Sequence, residues 1–137
     1  MYNHIIIAMA LDHGYGPQAM KLAQTLLNNG GQITALHVFE EPAGSVNAFI
    51  DADVPERAFA AAKAKMADRM ADVPNARGVA VKGHGGRTIV DVAQAESADL
   101  IIMGSHKPDL ADFLLGSTAA RVVRHAPCAV HVLRDTV

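Results

Sequence analysis

The stretch of this chain best suited to hold an anion runs Gly104-Ser-His-Lys-Pro-Asp-Leu-Ala-Asp-Phe-Leu-Leu-Gly116-Ser117-Thr118: an apolar strand leaves through glycine and a helix starts on Gly-Ser-Thr. The first N–H groups of a helix lack intrahelical partners and its start carries partial positive charge, so an anion is stabilised there. The hydroxyls of Ser117 and Thr118 add donors, and glycine lets the backbone approach closely. Gly-Ser-Thr is also an ordinary helix N-cap pattern, and the glycine loop before it is what turns the reading toward phosphate. Two further groups suit a nucleotide. The Asp12 carboxylate, at the end of the first apolar run, can accept hydrogen bonds from ribose hydroxyls, and the main chain at Val38 can read an adenine edge. By itself Asp12 reads as a strand-end or capping carboxylate.

Other glycine patterns compete with this site. Gly14-Tyr-Gly16-Pro-Gln-Ala19 formally matches the dinucleotide fingerprint, with Glu40 near the expected acidic position. Against it, Asp12 and His13 stand where the strand should run straight into glycine, and the chain has no room for a substrate domain. Gly83-His-Gly-Gly86 lacks the Lys-Ser/Thr ending of a P-loop and reads as a turn. The seven histidines show no paired helical spacing, which argues against a metal site. Ser105 and Ser117 lie in no nucleophile elbow, so covalent catalysis has no evident residue.

The elements that must position these groups alternate. Ile5 to Leu11 is a nearly continuous β-branched run, the pattern of a strand covered on both faces. Pro17 then opens a helix with Ala19, Leu22, Ala23, Leu26 and Leu27 at helical spacing, and Asn29-Gly-Gly31 is expected to stop it. Ile33 to Phe39 predicts the second strand. A long helix from about Pro55 carries Phe59, Ala62, Met66 and Met70 inward, with Lys63, Lys65, Asp68 and Arg69 on the wet side. Arg77 to Val81 predicts the third strand, followed by a helix bearing Ile89, Val90, Val92 and Ala93. Asp99 to Met103 predicts the fourth strand, Gly116 to His125 a short helix ended by Pro127, and Cys128 to Leu133 the fifth strand. This order implies right-handed βαβ crossovers and a parallel sheet with helices on both faces. Ligands of such sheets lie beyond the carboxyl ends of the strands where the winding reverses.

With 137 residues, one domain spanning 1–137 is expected, large enough to bury a core without disulfides or metal. Half of the residues are hydrophobic but only 4% are aromatic and none is Trp, which disfavours a base-stacking platform. A net charge of −2 without any Lys/Arg block argues against nucleic acid or a membrane surface as partner. Cys128 is the only cysteine, in an apolar run that suggests a buried thiol and a reducing compartment. The N-terminus lacks the features of a secretory signal and no apolar run reaches spanning length, so the cytoplasm is the expected location.

The chain resembles the universal stress protein family through Ile7-Ala-Met-Ala-Leu-Asp12, Leu36-His-Val38, Ile101-Ile-Met-Gly-Ser-His106, Leu114-Leu-Gly-Ser-Thr118 and Val122-Val-Arg-His-Ala-Pro-Cys-Ala-Val130. In nucleotide-binding members the pattern is Gly, two residues, Gly, nine residues, Gly, then Ser or Thr; here Gly104, Gly116 and Ser117 match. Lys107 replaces the second glycine, Pro108 follows it, and the interval to Gly116 is one residue shorter, as in a subgroup that the chain looks similar to. Lys107 then either meets a phosphate itself or is solvated while Pro108 stiffens the loop.

The resemblance implies an open five-stranded parallel α/β sheet, order 3-2-1-4-5, with helices on both faces and a Rossmann-like architecture. It implies a site for ATP, or AMP or ADP, formed by Ala10, Leu11, Asp12, Val38, Met103, Gly104, His106, Lys107, Gly116, Ser117 and Thr118. Magnesium would enter with ATP, for which Asp109 and Asp112 are weak candidates. It also implies a homodimer through Cys128 to Leu133, and a nucleotide-dependent stress-response sensor or regulator that needs no catalytic residue beyond slow ATP hydrolysis or self-phosphorylation. The alternatives are a dimeric interaction protein without nucleotide, and a small NAD-binding module.

Overall fold

In a computed structural model, which describes residues 1–10, 16–40, 53–105 and 115–134, the elements alternate as the pattern requires. They are β1 (Tyr2–Ala8), α1 (Gly16–Leu26), β2 (Leu27–Phe39), α2 (Asp53–Met70), β3 (Ala76–Lys82), α3 (Gly85–Ala95), β4 (Leu100–Gly104), α4 (Ser117–His125) and β5 (Ala129–Leu133). The five strands form one sheet in the order β3-β2-β1-β4-β5, every pair parallel. β1 is central, with Ile5, Ile6 and Ile7 paired to Leu100, Ile101 and Ile102 of β4. The winding reverses between these two strands.

The pleat sends alternate side chains to opposite faces, and the covering helices divide accordingly. Ile5, Ile7, Ile33, Leu100 and Ile102 pack with Ala19 and Ala23 of α1, and Ala35 and Ala80 pack with Ala62, Met66 and Met70 of α2. Ile6, Leu36, Ile101 and Met103 face Ile89 and Ala93 of α3 and Ala119 and Val122 of α4. Phe59, expected inward, is only half-buried: its ring meets Phe39 at 5.5 Å, and the Lys63 and Lys82 ammonium groups cover it at 5.6 and 5.0 Å from its centroid.

The stop expected at Asn29-Gly-Gly31 comes earlier. α1 ends at Leu26 and β2 begins at Leu27, so Asn28 to Gly31 belong to the strand. They form an irregularity: Tyr2 pairs with Leu27 and His4 with Gln32, and Gly30 takes a left-handed φ of 81° that accommodates the extra residues. The same end of the sheet is locked by polar bonds. The Asp99 carboxylate accepts the N–H groups of Asn3 and His4 at 2.8 and 2.9 Å, and Thr34, fully buried, meets His4 Nε2 at 2.9 Å. Arg77 pairs with Glu96 across this end.

Cys128 is half-buried rather than fully enclosed, packed against the α3–α4 side of the core. Burial, and secondarily the Asp99 carboxylate, push its thiol pKa above the ordinary value. The folded state therefore favours the neutral thiol. That contribution to stability is complete below the unfolded cysteine pKa and is lost as pH rises through the higher folded value. Urea midpoints measured from pH 7 to 10.5 are expected to fall more steeply for the wild type than for Cys128→Ala; parallel curves would refute this linkage.

Candidate functional site

The carboxyl ends of β1, β2 and β4 and the start of α4 meet at one edge of the sheet. The α4 start is built by Ser105, fully buried just past β4. The Ser105 N–H donates to the Leu133 carbonyl of β5 at 2.9 Å, and its own carbonyl accepts the Gly116 N–H at 2.8 Å. One residue thus ties the ends of β4 and β5 to the residue that opens α4. Gly116, buried and extended at φ −60° and ψ 157°, is the N-cap, and its carbonyl accepts the first intrahelical bond from Ala120 N–H at 2.8 Å. The N–H groups of Ser117, Thr118 and Ala119 lie ahead of that bond and are the ones a helix leaves for an external acceptor.

Nothing of the described protein caps this start. Gly116 has no side chain to do so, and the first turn of α4 holds no acidic residue. Ser117 and Thr118 are exposed. The neighbouring helix start is different. His84, the N-cap of α3, makes no side-chain cap, and the Glu40 carboxylate at the end of β2 accepts the Gly85 N–H instead, at 2.8 Å. A fixed negative charge therefore occupies the α3 start, in keeping with the reading of Gly83-His-Gly-Gly86 as a turn rather than a phosphate loop.

Glu40 and Thr118 are close neighbours. A Cβ built on Gly85 would lie 3.3 Å from Glu40 Oε1 and 3.2 Å from Thr118 Oγ1, so glycine there lets the two helix starts sit side by side.

At β2 the direction of the backbone matters. Alternate residues of a strand direct their N–H and C=O to opposite neighbours. The Leu36 carbonyl accepts Met9 N–H on the β1 side at 2.8 Å, and the Phe39 carbonyl accepts Gly83 N–H on the β3 side at 3.1 Å. Val38, two residues beyond Leu36, thus turns its N–H and C=O to the β1 side, past the last β1–β2 pair at Ala8 and Leu36. Its side chain packs against the α3–α4 core. His37 fixes the neighbouring end of β1: its Nδ1–H donates to the Met9 carbonyl at 3.1 Å, which sets the tautomer because a carbonyl only accepts.

Of the residues the sequence singled out, Ala10, Val38, Met103, Gly104, Gly116, Ser117 and Thr118 are described and come to this edge; Met103 is buried and Ala10 exposed. Leu11, Asp12, His106 and Lys107, with Gly14, Asp109 and Asp112, lie outside the described residues. Sequence reasoning did not identify the Ser105 bridge, the Glu40 cap or the His37 brace. Only Glu40 gave a signal, as a carboxylate at a strand end. Among the described residues, no group of three or more His, Cys, Asp or Glu side chains is placed to hold a metal ion. No described helix is long and apolar enough to cross a membrane.

A family model described as the universal stress protein family matches residues 1–134. The chain is 41% identical over 58 residues to a universal stress protein of Methanothermobacter thermautotrophicus, a segment that spans 42% of this chain and 40% of that one. Its fold is similar to that of universal stress protein UspA from Lactobacillus plantarum, with a TM-score of 0.75 at 26% identity, covering 97% of this chain and 98% of that one. Two more distant structures share the fold at 16% identity: a universal stress protein in complex with cAMP (TM-score 0.68, 98% and 99% covered) and one from Archaeoglobus fulgidus in complex with dAMP (TM-score 0.61, 97% and 98% covered).

Proposed function

Because the chain belongs to the universal stress protein family, we propose that it binds an adenine nucleotide at this edge of the sheet and acts in the stress response as a nucleotide-dependent regulator. ATP is the leading ligand, with AMP and ADP as the alternatives. The observation that carries the reading is the contrast between two adjacent helix starts. α3 is capped by Glu40, whereas α4 offers the N–H groups of Ser117, Thr118 and Ala119 and two exposed hydroxyls to an acceptor from outside. The main chain of Val38, turned to the β1 side past the last β1–β2 pair, suits the adenine edge. Asp12 and Gly104 would take the ribose, and Lys107 would meet phosphate. Magnesium enters only as the companion of ATP. The nucleotide complexes of the two structural relatives support the same ligand class.

We further propose that the protein works in the cytoplasm as a homodimer joined through β5. Among the described residues that strand pairs only with β4, with no strand on its outer edge, and Ala129 and His131 stand exposed on it.

The nucleotide reading is tested by denaturing the purified protein, identifying any released ligand by mass spectrometry, and titrating ATP, AMP and NAD calorimetrically. Adenine nucleotide binding with NAD no better than AMP is the expected result. The absence of any adenine nucleotide binding at millimolar concentration would sink the proposal, and a preference for NAD would replace it with the dinucleotide reading.

A further inference from the structure

A second polar groove of about 210 Å³ lies on the outer face of the α3–α4 pair, lined by Arg87, Val90, Asp91, Arg121 and His125. None of these residues belongs to the nucleotide cradle. The groove exists because α3 and α4 approach closely at Gly86, where a Cβ would come within 3.0 Å of Arg121 Cβ and 3.1 Å of its Cδ. The aliphatic stem of Arg121 therefore lies against the backbone of α3, which holds its guanidinium on the same side as Arg87. Among the described residues, neither guanidinium takes part in an ion pair or a hydrogen bond. Even Asp91, one turn after Arg87 on the same helix, leaves it unpaired. A protein of net charge −2 thus keeps in one groove two cations that have no partner among the described residues.

We propose that this groove binds a phosphate monoester that also carries hydroxyl groups, such as a small polyol phosphate. Two guanidinium groups match the charge of a phosphate monoester near pH 7 and can each donate two parallel hydrogen bonds to its oxygens. Asp91 accepts only, so beside the arginines it suits a hydroxyl of the ligand and repels a second phosphate. Val90 supplies the apolar wall for the carbon chain. The volume accommodates one phosphoester group with a short substituent.

The test is a titration of the full chain, followed by amide and arginine Nε–H NMR shifts, with inorganic phosphate, glycerol 3-phosphate and glycerol. Saturable shifts confined to α3 and α4 are expected for the two phosphates, tighter for glycerol 3-phosphate, and none for glycerol. The double variant R87Q/R121Q should lower the affinity at least about tenfold while keeping the wild-type spectrum elsewhere. D91A, which removes the acceptor, should erase the preference for the ester over inorganic phosphate. Shifts that fail to saturate, that keep the wild-type affinity in R87Q/R121Q, or that centre on Ser117 and Thr118 rather than on Arg87 and Arg121 would overturn the proposal. A preference that survives D91A would overturn the hydroxyl assignment.

Discussion

Replacing Gly78 with alanine is expected to destabilise the protein by about 3 kcal/mol, lowering the thermal midpoint by about 10 °C. Gly78 lies within β3 where α2 crosses it, and a Cβ there would stand 2.0 Å from the Met66 carbonyl oxygen and 2.5 Å from its carbon. These are backbone atoms, so no side-chain rotation relieves the overlap and the helix itself must lift. Met66 is fully buried and is the centre of the inward row Ala62, Met66 and Met70. Lifting α2 opens that row, which adds lost packing to the steric cost. Gly30→Ala is the informative contrast: a Cβ there meets nothing within 4 Å, and only the left-handed φ of 81° is penalised, at about 1 kcal/mol. Urea titrations of the two variants measure the difference. A Gly78→Ala midpoint equal to that of the wild type would show that α2 does not rest on β3 as described.

That contact illustrates what was readable before the structure. The Ala62, Met66 and Met70 spacing of α2 and the apolar run of β4 lie where those elements form, whereas the strand expected from Ile5 to Leu11 runs instead from Tyr2 to Ala8. The strand order came from family resemblance, since periodicity says which residues are buried but not which strands are neighbours. Gly78 was part of an expected strand, yet only the approach of Met66 reveals why it lacks a side chain. Asn29-Gly-Gly31, expected to stop the helix, instead lies within β2 as an irregularity, because Leu26 and Leu27 fit both a helical face and a strand edge. The site divides in the same way. Gly116-Ser-Thr is local, and its place at a helix start follows from composition alone. Glu40 reaches Gly85 from 45 residues away, and Ser105 links Leu133 to Gly116, so neither residue's partner can be read from the local sequence. Those distant contacts decide which helix start is open to a ligand.

Ser117→Pro is expected to weaken ATP binding by about tenfold to a hundredfold while leaving the fold intact. Ser117 is the first residue of α4, a position where proline is tolerated because its N–H has no intrahelical acceptor. The preceding Gly116 already has the extended φ of −60° and ψ of 157° that a residue before proline requires. Both bonds that seat the helix, Gly116 N–H to Ser105 and Ala120 N–H to Gly116, survive the change. What disappears is one N–H and one hydroxyl aimed at the proposed phosphate. A hydrogen bond to a charged acceptor contributes about 1.5–3 kcal/mol, which sets the expected loss. Ser117→Ala keeps the N–H and is expected to lose less, so the two variants separate backbone from hydroxyl. Adenosine, which carries no phosphate, should bind the wild type and Ser117→Pro alike. Calorimetry with ATP, AMP and adenosine reads all of these effects. An ATP affinity unchanged in Ser117→Pro, in a protein that binds ATP, would move the phosphates away from the α4 start and leave the open helix end without its proposed role.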